Sequence, residues 1–322
     1  MTRVLVTGAA GFIGSHLVEA LARRGDDVVG IDNFDPFYDR GMKESNLREA
    51  ANGRLRFHEQ DILAVDPLAA LLTPDTVLVH LAAKAGVRPS IADPTGYARA
   101  NVEGTAAVLE AARRAGVSRV VFGSSSSVYG DTTAAPFRED APAMDPVSPY
   151  AATKRAAELL VRAAAPLHGF RAMSLRFFTV FGPRQRPDLA IHAFARRMVD
   201  GRPLILFGDG TQARDYTYCD DIVAGVIAAV DWTADAPVGM ELVNLGGNRP
   251  LPLQALVSEL ASALGITPTL QRAPMQPGDV QVTCADVEKA RRVLGFEART
   301  PFGEGIERFV AWFRRAYAGT TS

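Results

Sequence analysis

The sequence predicts an α/β protein, a doubly wound parallel sheet followed by a smaller C-terminal α/β lobe. Three observations carry that expectation. Apolar, β-branched runs alternate with amphipathic helical patterns as far as about residue 180, and continuous apolar strands of this kind are buried on both faces, as parallel strands under helices are. Glycines at positions 8, 11 and 14 stand directly between the first such run and the first helical pattern. Farther on, Pro and Gly become frequent (GPRQRP, GRPLILFGDG, NLGGNRPLP, MQPGDV) and helical stretches shorten, which marks a change of architecture.

The elements follow in order. RVLVT at 3–7 is the first strand, and 14–24 the first helix. DVVGID, ending at Asp32, is the second strand, RLRFHE (54–59) the third and TVLVHLAA (76–83) the fourth. RVVFGSS (119–125) and RAMSLRFF (171–178) complete the strands of the first half, with helices over 101–115 and 149–167 between them. Residues 1–178 are expected to form the nucleotide-binding domain and 179–322 the substrate lobe, some of whose segments return to the first domain. No tandem repeat or low-complexity linker is present.

Bulk properties narrow the class. With 322 residues the chain can bury a large core. A formal net charge of −1 gives no reason to expect a nucleic-acid or membrane partner. The only cysteines are Cys219 and Cys284, without metal-ligand spacing, so neither a disulfide framework nor a metal site is expected. The N-terminal apolar run is broken at once by glycine, unlike a signal peptide or anchor, and a soluble cytoplasmic protein is expected.

Gly8, Gly11 and Gly14 form GxxGxxG at a strand-to-helix junction. Glycine there permits a tight turn and lets backbone amides at the helix N-terminus approach a pyrophosphate. A glycine triplet alone is a weak signal. Asp32, about 20 residues on, strengthens it, because a carboxylate there binds the adenosine ribose hydroxyls and repels a 2′-phosphate. The expectation is a Rossmann-type site for NAD. Phe12 and Ile13 in the turn, Asn33, Asp61, Ile62, Leu81, Ala82, Ala83 and Phe177 are assigned to the same site, although Asp61 could equally be a helix N-cap.

Tyr150 and Lys154 lie four apart in PYAATKRAAELL and share one helix face. A neighbouring ammonium lowers a phenol's pKa and makes tyrosine a usable base near neutrality, as a nicotinamide cation would. A YxxxK pair is common by chance, and it acquires weight here from its place after the nucleotide turn and a serine-ended strand.

GAAGFIG, GSSSSVYG and YAATK together resemble the extended short-chain dehydrogenase/reductase superfamily over almost the whole chain. The resemblance implies a catalytic Ser125, Tyr150 and Lys154. GDGTQARDYTYCDD and MQPGDV resemble motifs of nucleotide-sugar epimerases and dehydratases, which implies Arg214 on the substrate diphosphate and Asp279 among substrate contacts, and Arg88 of AGVRPS is assigned to the substrate as well. In this family the fate of a 4-keto sugar depends on the two residues after the catalytic serine. Dehydratases carry Asp-Glu there and decarboxylases a Glu in the second position, where this chain has Ser126 and Ser127. Neither serine can transfer a proton as a carboxylate does, which leaves 4-epimerisation. Two hydroxyls can also donate to a substrate carboxylate, with Thr179 beside them and Arg186 as a further cation for carboxylate or phosphate. FFTVFGPRQRPDLA, DNFDPFYDRGMKESNL and AGVRPS look most like UDP-glucuronate 4-epimerases. The resemblance thus implies a UDP-sugar substrate, and the apolar surplus on helices 101–115 and 149–167 implies a homodimer. An epimerase of neutral UDP-hexoses, a UDP-glucuronate decarboxylase and a non-catalytic nucleotide-binding regulator are the alternatives.

Overall fold

The computed structural model describes residues 1–50, 55–131, 133–274 and 280–318. The apolar runs form β1 (Arg3–Thr7), β2 (Asp27–Asp32), β3 (Leu55–Glu59), β4 (Val77–His80), β5 (Arg119–Ser125) and β6 (Arg171–Phe177). Later strands are β7 (Thr179–Phe181), β8 (Leu204–Phe207), β9 (Ala213–Tyr218), β10 (Gly239–Leu245), β11 (Pro250–Pro252) and β12 (Leu270–Ala273). Between the early strands lie α1 (Phe12–Arg24), α2 (Arg40–Ala50), α3 (Val65–Leu71), α4 (Val87–Ala92), α5 (Pro94–Ala98), α6 (Gly104–Arg114) and α7 (Pro149–His168). The later helices are α8 (Ala190–Val199), α9 (Cys219–Trp232), α10 (Leu253–Leu264), α11 (Glu288–Leu294) and α12 (Phe302–Ala318).

Among the described residues β1 to β6 and β10 make one parallel sheet in the order β10-β6-β5-β4-β1-β2-β3. Strand period two explains why these runs are apolar throughout. Val4, Val6, Val77, Val79 and Val121 enter the layer that holds α1 and α9. Leu5, Leu78, Val120 and Phe122 enter the opposite layer with α3, α6 and α7. Each fully buried side chain of this size contributes roughly 1.5–3 kcal/mol. β10 comes from the second half of the chain yet pairs with β6 from Gly239↔Arg171 to Leu245↔Phe177.

Chain order reverses between β1 and β4, which opens a crevice at the carboxyl ends of the strands. β4 ends at His80, earlier than the sequence predicts. Leu81 and Ala82 leave the ladder because both amides donate to the Thr7 hydroxyl, each at 3.1 Å. The helix predicted over 101–115 also begins differently, since a π-turn at Arg99–Glu103 precedes α6. α7 starts cleanly, with Ser148 accepting from the Ala151 amide and Pro149 at the first helical position.

Candidate active site

The crevice opens into a cavity of about 800 Å³, at the upper end of the usual range for small-molecule sites. Its floor is the glycine turn. Gly8 has φ +74°, and a Cβ there would lie 2.8 Å from the Ala82 nitrogen. A Cβ on Gly14 would come within 2.0 Å of the Gly8 carbonyl oxygen, so the helix can start this close to β1 only with glycine. Phe12, Ile13, Asp32, Asn33, Asp61, Ile62, Leu81, Ala82, Ala83 and Phe177 all line the same cavity.

Asp32 is buried and accepts from the amides of Ala10 (3.2 Å) and Phe34 (2.8 Å). Two carboxylate oxygens offer about four acceptor sites, so capacity for ribose hydroxyls remains. Burial raises its pKa, and the Lys43 charge opposes that rise. Asp61 accepts from the Leu63 amide (2.9 Å) and from Asn33 (3.1 Å), which braces a turn while facing the cavity. Two polar atoms of the wall, Tyr38 Oη and Gln60 Nε2, are buried without a partner among the described residues. The glycine cradle, the buried carboxylate and these two atoms fit a dinucleotide that brings ribose and phosphate acceptors.

β5 and α7 bring the catalytic candidates together at the other end of the cavity. The Ser125 hydroxyl acts on the Tyr150 phenol, and it accepts from the Ser127 amide at 3.2 Å. Lys154 Nζ donates to the Gly123 carbonyl at 2.7 Å. Burial lowers the Lys154 pKa to about 8, and Glu158 acts against the fall. Burial raises the Tyr150 phenol, while the Ser125 hydrogen bond and the Arg186 charge pull it down. The sequence assigned that lowering to Lys154. In the structure the Lys154 ammonium is turned to a main-chain carbonyl, and Ser125 and Arg186 act on the phenol instead.

The four serines divide. Ser124 points away from the chemistry and donates to Glu158 Oε1 at 2.6 Å. Ser125 meets Tyr150, while Ser126 and Ser127 are half-buried in the cavity wall with Thr179 and Arg186. Arg186 forms a bidentate pair with Asp188 (3.0 and 2.8 Å) and lies 5.3 Å over the Phe37 ring. Arg88 and Arg214 do not line this cavity. Arg88 stacks 4.8 Å over Phe207, and Arg214 donates to the carbonyls of Ala213 (3.1 Å) and Gln281 (3.3 Å). Asp279 lies outside the described residues.

Several lining groups escape sequence reasoning. Lys43 is buried, donates to the Asp35 carbonyl at 2.8 Å and sits 4.7 Å over the Tyr38 ring. Lys84 and Arg99 also reach the wall. Lysine scarcity was the available signal: the chain has four lysines against 31 arginines, and three of the four line this cavity. Away from the cavity, His16, Cys219 and Asp220 bring potential ligand atoms within 4.8 Å of one another. Their separation in sequence hid this group. Arg184 acts on His16 and Arg308 lies 3.7 Å from Asp220, so the cluster already has its cations.

A family model, the NAD dependent epimerase/dehydratase family, matches residues 4–246. The chain belongs to that family. It is 38% identical over 312 residues to a UDP-glucuronate 4-epimerase of Thermodesulfobacterium geofontis, covering 96% of this chain and 95% of the relative. A crystal structure of UDP-glucuronic acid 4-epimerase from Bacillus cereus, in complex with UDP-glucuronic acid and NAD, superposes with a TM-score of 0.92. The identity is 37%, over 98% of this chain and all of that one. UDP-glucose 4-epimerase of Thermotoga maritima, with UDP-glucose, gives 0.86 at 31% identity, over 98% of this chain and 100% of that one. The family explains why the glycine turn, the serine-ended strand and the Tyr/Lys helix occur together in this enzyme. No described helix is long and apolar enough to cross a membrane.

Proposed function

We propose that the enzyme interconverts UDP-glucuronate and UDP-galacturonate by NAD-dependent 4-epimerisation. The observation that carries this reading is the hydroxyl wall of Ser126, Ser127 and Thr179 beside Tyr150, where an eliminating or decarboxylating relative needs an acid. In this reading residues 1–178 hold NAD, and segments from 179–322 bind the UDP-sugar.

The glycine turn, Asp32, Asp61 and the small residues at 81–83 would hold the cofactor. Bound there, NAD supplies a reversible acceptor for the hydrogen on sugar carbon 4. Tyr150 takes the proton of the carbon-4 hydroxyl and later returns it, and Ser125, which acts on the phenol, shares that proton. Arg186 favours the phenolate during this exchange. Ser126, Ser127 and Thr179 hold the substrate carboxylate. The 4-keto sugar is a β-keto acid, and it keeps its carboxylate only if the bond to carbon 5 stays out of line with the carbonyl π system. Short hydroxyls fixed to a strand end can impose that geometry without offering a proton.

Protein purified without added nucleotide is expected to convert UDP-glucuronate into UDP-galacturonate and to release NAD on denaturation. Faster turnover of UDP-glucose in a substrate panel would move the assignment to a neutral-sugar epimerase. Turnover that requires a stoichiometric external reductant would remove the epimerase reading altogether.

Assembly as a homodimer is part of the same proposal. Leu159 and Leu167 on the outer side of α7 are 50% and 75% exposed, and Ala106 on α6 and Ala163 are exposed as well. α6 packs on α7, so these residues extend one two-helix surface. A two-fold axis would convert it into a four-helix interface. Light scattering at micromolar concentration should give twice the chain mass, and Leu159→Asp should give the monomer. A monomeric mass for the unaltered protein would refute the dimer.

A further inference from the structure

Glu158 is fully buried one helical turn beyond Lys154, and the mechanism above makes no use of it. Three side chains meet on its carboxylate through four hydrogen bonds. Ser124 Oγ donates to Oε1 at 2.6 Å, Arg176 donates to both oxygens at 2.9 Å, and Arg155 donates to Oε2 at 2.9 Å. Ser124 and Arg176 are register partners on β5 and β6, and the next pair in that register is Ser125 and Phe177. Arg176 is held from its other side by the Tyr129 ring at 4.5 Å, and Tyr129 in turn donates to Asn244 on β10 at 2.7 Å.

These contacts form a ladder. Three successive turns of one α7 face each meet one residue at the end of β5: Tyr150 acts with Ser125, Lys154 donates to the Gly123 carbonyl and Glu158 accepts from the Ser124 hydroxyl. A shift between helix and strand would break all three together. We propose that Glu158 is a positioning residue for the proton relay, locking α7 to the end of β5 through Ser124 and Arg176 and balancing the buried charge of Lys154.

The charged and titratable groups around Lys154 favour this role. On its own helix are Tyr150 and Glu158. β4 presents His80, which burial and the Lys154 charge hold neutral with a pKa of about 3. β6 presents Arg176, α5 presents Tyr97 against the Tyr150 ring, and Arg186 follows β7. Glu158 is the group that raises the Lys154 pKa against burial. Without that carboxylate the amine loses its proton at lower pH, and the ammonium beside the relay is lost with it.

The test is the pair Glu158→Gln with Arg176→Met, which removes Glu158 and its buried Arg176 partner together, so that neither of the two is left without its counter-charge. With only four lysines, each amine of ¹³C-lysine protein can be followed by NMR, and Lys154→Met identifies the Lys154 signal. The Lys154 titration should move to lower pH, with proton affinity down about tenfold. At pH 8 kcat for UDP-glucuronate should fall about fivefold or more with KM within about threefold. An unmoved titration with unmoved kcat would make Glu158 a packing residue and overturn the proposal. If the pair does not fold, Ser124→Ala removes only the strand clasp, and wild-type kcat in that variant overturns the proposal instead. The kinetic part rests on the epimerase reading, but the titration does not. A shifted amine in a protein that leaves UDP-glucuronate unchanged would sink the substrate assignment and not the role of Glu158.

Discussion

Tyr150→Phe should lower kcat by about 10²–10⁴-fold, the usual contribution of a positioned proton-transfer group, while UDP-sugar binding changes little. The substitution removes one oxygen and keeps the ring, which packs edge-on against Tyr97 with centroids 6.2 Å apart. Cofactor and substrate surfaces are otherwise untouched. The expected signature is therefore a loss in kcat with KM nearly constant, the mark of an interaction made only on the way to the transition state. Binding measured by calorimetry should remain within a few-fold of the unaltered protein. A variant that keeps a tenth of wild-type kcat would mean that the proton leaves by another route, and Ser125 would become the group to question. The pH profile adds a constraint. A buried phenol is a poor base, so the active form depends on what lowers its pKa, and Ser125 and Arg186 do that here. The kcat should therefore rise with pH as the Tyr150 phenol ionises, and Tyr150→Phe should flatten that rise.

The nucleotide site was legible because its requirements are local. A glycine that must adopt φ +74°, a helix start that tolerates no Cβ and a carboxylate at the end of the next strand each leave a mark at a fixed spacing. Tyr150 and Lys154 were legible for the same reason, being one turn apart on one helix. What the sequence hid was the partner of each group. Ser124 and Ser125 are adjacent and identical in type, but neighbours on a strand point to opposite sides. One therefore serves Glu158 and the other Tyr150. Glu158 and Arg176 are 18 residues apart and meet only because α7 packs across the register of β5 and β6. Lys43 lies on α2, a largely polar helix whose sequence does not mark an inward face, yet it is buried beside the carboxylate it complements. Arg88 and Arg214 show the reverse case, since motif position located them and the tertiary structure sets both outside the main cavity.

Ser127→Glu should separate acidic from neutral substrates. Ser127 is half-buried in the cavity wall, two residues from Ser125 and in hydrogen-bond contact with it at 3.2 Å. A glutamate there faces the space assigned to the substrate carboxylate. Like charges brought together in a binding site cost several kcal/mol, so kcat/KM for UDP-glucuronate should fall by about 10²-fold or more. UDP-glucose carries no carboxylate and should lose much less. The new group is also an acid placed beside the 4-keto sugar, so part of the remaining flux should appear as UDP-pentose, detectable by chromatography of the products. The comparison between the two sugars matters more than either loss alone. A longer side chain carries a steric cost whatever its charge, and Ser127→Gln measures that share with almost the same shape. If Ser127→Glu and Ser127→Gln damage UDP-glucuronate turnover equally, or if both sugars suffer alike in Ser127→Glu, the serines do not face a carboxylate. The enzyme would then be a 4-epimerase of neutral UDP-hexoses, with Tyr150, Ser125 and the nucleotide site in the same roles.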